Sequence, residues 1–91
     1  MLRLYKVSGI SMMPNFKPND YVLCIKYLPI KVNDVVIVNS KDHGKIIKRI
    51  KSIKENSINI FGDNLSYESD TYSRSYDKKD ILGKVIFKLP L

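Results

Sequence analysis

The 91-residue chain is 44% hydrophobic, enough for one compact core and too short for two, so a single domain over 1–91 is expected. Sixteen Lys and Arg against nine Asp and Glu give +7, which draws nucleic acid, anionic membrane or an acidic protein. However, the lysines are scattered and the three arginines (Arg3, Arg49, Arg74) form no cluster of the kind that tracks a phosphate backbone. Nucleic acid is therefore not an expected partner, and weak association with an anionic membrane is the most that the charge supports.

Cys24 is the only cysteine, which excludes an intrachain disulfide and a thiolate metal cluster and fits a reducing compartment. No apolar run approaches the ~20 residues that cross a bilayer, and the amino-terminal segment is too short and polar for a signal peptide. A cytoplasmic protein with no integral membrane segment, no metal and no cofactor is expected.

Short apolar segments separated by turn residues recur along the chain, the pattern of an all-β domain. Strands are expected at 2–7, 21–27, 34–39, 45–53, 57–61 and 82–89, with 12–16 a candidate helical turn. Lys17-Pro18-Asn19-Asp20 and Lys31-Val32-Asn33-Asp34 each set an Asn-Asp pair before an apolar strand, and Asn tolerates the left-handed backbone such turns demand. Asp42-His43-Gly44 reads as a hairpin loop carrying the chain's one histidine. Phe61-Gly62-Asp63-Asn64 closes a strand and opens a long polar stretch at 65–80, of the kind that is functional or mobile.

Chemistry is concentrated in two places. Ser11 lies in Ser8-Gly9-Ile10-Ser11-Met12-Met13-Pro14; by itself, a serine near a glycine at a strand end is far more often a turn or capping residue than a nucleophile. Along 45–51, period-2 alternation puts Ile46, Lys48 and Ile50 on one face and Ile47, Arg49 and Lys51 on the other. If the first face is the core side, desolvation lowers the Lys48 pKa from about 10.4 towards the ~7–8 of a general base. If the strand is turned the other way, Ile47 is buried and Lys48 is solvated. The alternation leaves both open.

These residues fall into boxes. Gly9-Ile10-Ser11-Met12-Met13-Pro14, Lys48-Arg49-Ile50, Gly62-Asp63-Asn64 and Ile81-Leu82-Gly83-Lys84-Val85 stand in the order and near the spacing of the type I signal peptidase family of Ser/Lys peptidases. The chain resembles that family over nearly its whole length, and most closely its soluble nickel superoxide dismutase maturation proteases. The resemblance implies a small antiparallel β-barrel or sandwich-like catalytic core of the signal peptidase/LexA type. It implies a Ser11 nucleophile activated by Lys48, an oxyanion held by the Ser11 N–H, and an N-terminal leader or propeptide of a protein as substrate, bound in extended form by edge-strand pairing. Gly9 stands where some relatives carry a second oxyanion hydroxyl, and Gly9, Ser11 and Met12 make up the nucleophile and oxyanion box.

The family's Ser-x-Asp-Ser-Arg is altered here. Ser73-Arg74 remains after a short insertion in Ser66-Tyr67-Glu68-Ser69-Asp70-Thr71-Tyr72-Ser73-Arg74. Ser69 is the best match for the serine that orients the lysine, with Ser66 second, and the altered box leaves room for a degraded, inactive relative.

Other readings carry less weight. A Ser11–His43–Asp triad needs a histidine that sits in a hairpin loop, and a Cys24–His43 thiol site needs a cysteine that alternates with Val22 as a small core residue. Self-cleaving LexA-type repressor domains share the expected chemistry but carry an upstream DNA-binding domain, for which this chain has no room. Asn64-Leu65-Ser66 has a glycosylation pattern but belongs to the Gly-Asp-Asn box. A non-enzymatic β-barrel binding module would use the basic surface and stack Tyr67, Tyr72 and Tyr76 on bases or a protein.

Overall fold

The computed structural model describes residues 2–67 and 69–89, so Glu68 of the altered box lies outside the described residues. The strands are β1 (Leu2–Lys6), β2 (Tyr21–Ile25), β3 (Val35–Ser40), β4 (Gly44–Lys54), β5 (Ser57–Phe61), β6 (Ser75–Asp77) and β7 (Ile81–Leu89). They form one antiparallel seven-stranded sheet in the order β1-β2-β7-β3-β4-β5-β6. The all-β expectation holds, with strand ends moved by one or two residues. The 12–16 segment is a run of tight turns closed by Phe16 N–H donating to Met12 O.

The stretch at 65–80 departs from expectation. It contains a 3-10 turn (Asp70–Ser73), β6 paired with β5, and a second 3-10 turn (Lys78–Asp80). Both turns are started by side-chain caps, Ser69 for the first and Asp77 for the second. Such caps leave no hydrophobic period to read, and the one strand is only three residues long.

The run Val35-Val36-Ile37-Val38 explains the layering. Residues of a strand alternate between faces, and β3 feeds two cores: Val35 and Ile37 join Val7, Met12, Val22, Cys24 and Ile47, while Val36 and Val38 join Ile50, Ile58, Ile60, Tyr76 and Ile81. Ile50, Ile58 and Ile60 are fully buried, each removing apolar surface worth about 1.5–3 kcal/mol from water.

The two Asn-Asp turns are copies of one device. Asn19 and Asn33 sit at φ 77° and 78°, and in each turn the following Asp accepts the N–H of the lysine three residues back at 2.9 Å. They deliver β2 and β3 into the sheet. The sheet curls far enough that Lys45 of β4 rests its ammonium 5.5 Å from the centroid of the Tyr5 ring on β1, so the two strands face each other across a gap. No helix among the described residues is long and apolar enough to cross a membrane.

Candidate active site

Lys48 lies at the centre of β4, opposite Val36 of β3. Its neighbours at ±2, Ile46 and Ile50, pack with the second core, as the alternation predicts. Ile47, on the other face, is also buried, opposite Ile37. The choice of which face is covered therefore has the answer that both are, because β4 is sandwiched between the two cores where the sheet curls.

Ser11 comes to this lysine from the loop after β1. Gly9 takes φ +78°, a backbone that side chains disfavour, and Met12 anchors the far side of the loop with only 1% exposure. The result is a contact between residues 37 positions apart. Lys48 Nζ is 2.5 Å from Ser11 Oγ, with Lys48 5% and Ser11 9% exposed. Burial pushes the Lys48 pKa down. The ammonium form donates to Oγ; the neutral amine that burial favours accepts the hydroxyl proton instead. The rings of Tyr67 and Tyr72 each stand with centroids 5.5 Å from Nζ and complete its enclosure.

The Gly-Asp-Asn box holds the serine loop in place. Asn64 N–H donates to Ser11 O, and Asn64 Nδ2 donates to Ile10 O, both at 2.9 Å. Gly62 allows the approach, since a Cβ there would collide with the Ser11 carbonyl and the Tyr72 hydroxyl. Asp63 receives Arg49 through Nε and Nη2, both at 2.7 Å, and Asn15 Nδ2 at 2.8 Å. The Arg49 hydrogen bond holds the Asp63 carboxyl below its ordinary range. Arg49 Nη1 also donates to Asn33 O at 2.7 Å. Consecutive residues of one strand thus perform separate tasks: Lys48 meets the serine, while Arg49 ties Asp63 and, through Asn15, the loop that carries it.

The sequence pattern of the Peptidase S24-like family matches residues 2–86, nearly the whole chain. The chain belongs to that family. Among curated proteins, no relative matches. Membership makes peptidase chemistry the class against which the remaining family-like residues are to be judged.

Ser69, expected to orient the lysine, is engaged elsewhere: its Oγ is 2.9 Å from Thr71 Oγ1 and accepts Thr71 N–H at 3.2 Å, capping the 3-10 turn. Ser66 lies in the turn after Asn64, its N–H donating to Asn64 Oδ1. Aromatic walls, Tyr67 and Tyr72, stand around the amine instead. The altered box carried no signal for this, because both tyrosines read equally well as exposed loop residues. Ser73 Oγ donates to Asp70 O, and Arg74 bridges Asp70 and Asp42 at 2.8 and 2.7 Å, so Ser73-Arg74 and Asp70 build the turn, away from the amine.

The groups on which the competing readings depend stand elsewhere. His43 Nε2 is 2.9 Å from Asp70 Oδ1 on the rim, while the serine's partner is Lys48. Cys24 is fully buried against Gly83, and burial pushes its thiol pKa up, the reverse of an activated nucleophile. Tyr76 belongs to the second core and the Tyr72 hydroxyl is buried, so neither is presented for stacking on bases. Among the described residues, no group of His, Cys, Asp or Glu is arranged to hold a metal ion.

Ser11 and Lys48 open onto a cleft of about 330 Å³. Its floor is Val22, Ile37 and Ile47, and its sides are residues 5–10 within and after β1 and Lys45, Ile46 and Lys48 of β4.

Proposed function

We propose that the chain is a serine endopeptidase in which Ser11 is the nucleophile and Lys48 the general base, cleaving an N-terminal leader or propeptide from a protein substrate. The observation that carries this reading is the 2.5 Å contact between a buried lysine amine and a buried serine hydroxyl at the foot of an open cleft. Neutral Lys48 takes the Oγ proton as Oγ attacks the scissile carbonyl, and returns it to the leaving amine. Water then hydrolyses the acyl-enzyme, activated by the same amine. The Ser11 N–H supplies an oxyanion donor.

The sheet topology supports extended binding. β1 ends the sheet, so among the described residues no strand pairs with its outer edge, and β5 pairs with β4 only from Arg49 onward, which leaves the 44–48 edge open. A peptide laid between these two edges gains main-chain hydrogen bonds from both. Val22, Ile37 and Ile47 beneath it suit a small apolar side chain next to the scissile bond.

A superoxide dismutase precursor with an amino-terminal extension is the substrate to incubate first, given the resemblance. Ser11→Ala and Lys48→Met should each lower cleavage at least about 10³-fold while the protein remains folded. In the unaltered protein, kcat/KM should rise with pH through the depressed Lys48 pKa, at a pH below 10.5. Cleavage retained in either variant sinks the dyad.

A further inference from the structure

Where Tyr5 and Lys45 meet, the cleft over Ser11 adjoins a second one of about 270 Å³, which shares those two residues and continues over Arg3, Lys26, Tyr27 and Leu82. The two form one groove following β1 from Ser11 towards its first residues. Its character changes along its length. Near Ser11 the floor is aliphatic; from Lys45 outward the walls are basic, with Lys45, Lys26 and Arg3 in succession and Lys6 on the near rim. No acidic side chain among the described residues lines either part.

Among the described residues, the acids near the gap are committed elsewhere. Asp70 and Asp42 are bridged by Arg74, and Asp70 also meets His43. Asp63 is held by Arg49, and Asp34 faces Lys84 at 3.3 Å. Register adds direction. Arg3 and Tyr5 pair with Cys24 and Val22, both core residues, so these β1 side chains share the face that forms the groove floor. Lys45 lies two residues before Ile47 and so shares that face on β4. A strand bound between them turns every second side chain inward, first onto Val22, Ile37 and Ile47 and then, ~6.6 Å further per inward position, onto the lysines and Arg3.

We infer that the groove selects protein segments bearing a small apolar residue at the scissile bond and acidic residues at the alternate inward positions further out along β1. This rests on the peptidase reading of Ser11 and Lys48 for its orientation, but the charge selection is a property of the walls and is measurable as binding. The outer walls reward Asp or Glu through proximity and through the field of several cations in a narrow gap, and they repel Lys or Arg.

The test uses the full chain carrying Ser11→Ala and three fluorescein-labelled decapeptides with alanine at the inner positions and Glu, Gln or Lys at the outer inward ones. Anisotropy in ~0.15 M salt should rank Glu over Gln over Lys, with about tenfold between the extremes. Lys26→Glu with Lys45→Glu should reverse the order. Lys51→Glu with Lys54→Glu, the same charge change at the exposed far end of β4, should leave it. Equal affinity for the three peptides, no binding by any, or an equal effect of the remote pair overturns the inference. The protein with Ser11 intact is then given the same peptides. Ranked binding without cleavage leaves charge selection standing and removes the peptidase reading; cleavage without ranking does the opposite.

Discussion

Two segments enclose Lys48, and they are held by different physics. The Gly-Asp-Asn segment lies against the serine loop through two hydrogen bonds to consecutive backbone carbonyls and a two-pronged Arg49–Asp63 pair whose carboxylate is 8% exposed. The 69–74 turn is held across the rim by His43, Asp42, Asp70 and Arg74, whose side chains are 39–58% exposed. Contacts of the first kind are screened little by salt, and those of the second are weak and screened strongly. The contact between Ser11 and Lys48 thus rests on the rigid side, while Tyr72, over the amine, belongs to a turn whose side-chain ion pairs are soft.

The rigid side offers the largest effect. Gly62→Ala forces a methyl group into the Ser11 carbonyl and the Tyr72 hydroxyl; it should cost about 2–3 kcal/mol in denaturant unfolding and lower peptide cleavage by at least about 100-fold, since Ser11 must move. A Gly62→Ala protein of unchanged activity and stability would mean that the clamp is not needed.

Asp63→Asn comes next. It leaves Arg49 with a neutral, poorly matched partner and should cost about 1–2 kcal/mol. The pH dependence has a defined sign. The folded-state pKa of Asp63 is depressed, so its contribution is fully present above the unfolded value of 3.8 and is lost as pH falls through the lower folded value. Urea titrations of the unaltered and Asp63→Asn proteins should differ at pH 7 and converge as the pH falls below 3.8.

Arg74→Ala is the smallest and tests the soft side. It should leave the unfolding midpoint unchanged and raise amide exchange selectively in the 69–74 turn, with high salt producing the same exchange pattern in the unaltered protein. A global loss of stability would show that the two sides are not distinct.

The same contrast separates what was legible from what was not. The Asn-Asp turns were readable because a left-handed residue and an Asp side chain returning to the backbone are events within four positions. The alternation that placed Lys48 with Ile46 and Ile50 was readable because a strand's period is local. The capping contact of Ser69 was not readable because a serine that caps a turn and one that reaches an amine have the same local sequence, and only the path of the chain distinguishes them. Tyr76 looked like part of an exposed aromatic loop because β6 is three residues long and takes its core face from pairing with β5.

By itself, then, the sequence determined the all-β class and the turns that deliver β2 and β3, which follow from backbone preferences and side-chain periods over a few residues; the boxes containing Ser11, Lys48 and Gly62-Asp63-Asn64 stood out through their resemblance to a known family. Only the tertiary structure decided that Lys48 is covered although its strand is apolar on both faces, that its amine meets the Ser11 hydroxyl, and that tyrosines rather than Ser69 stand around it. Those outcomes depend on how far the sheet curls to bring β1 towards β4, a sum over the packing of two cores that no single segment encodes.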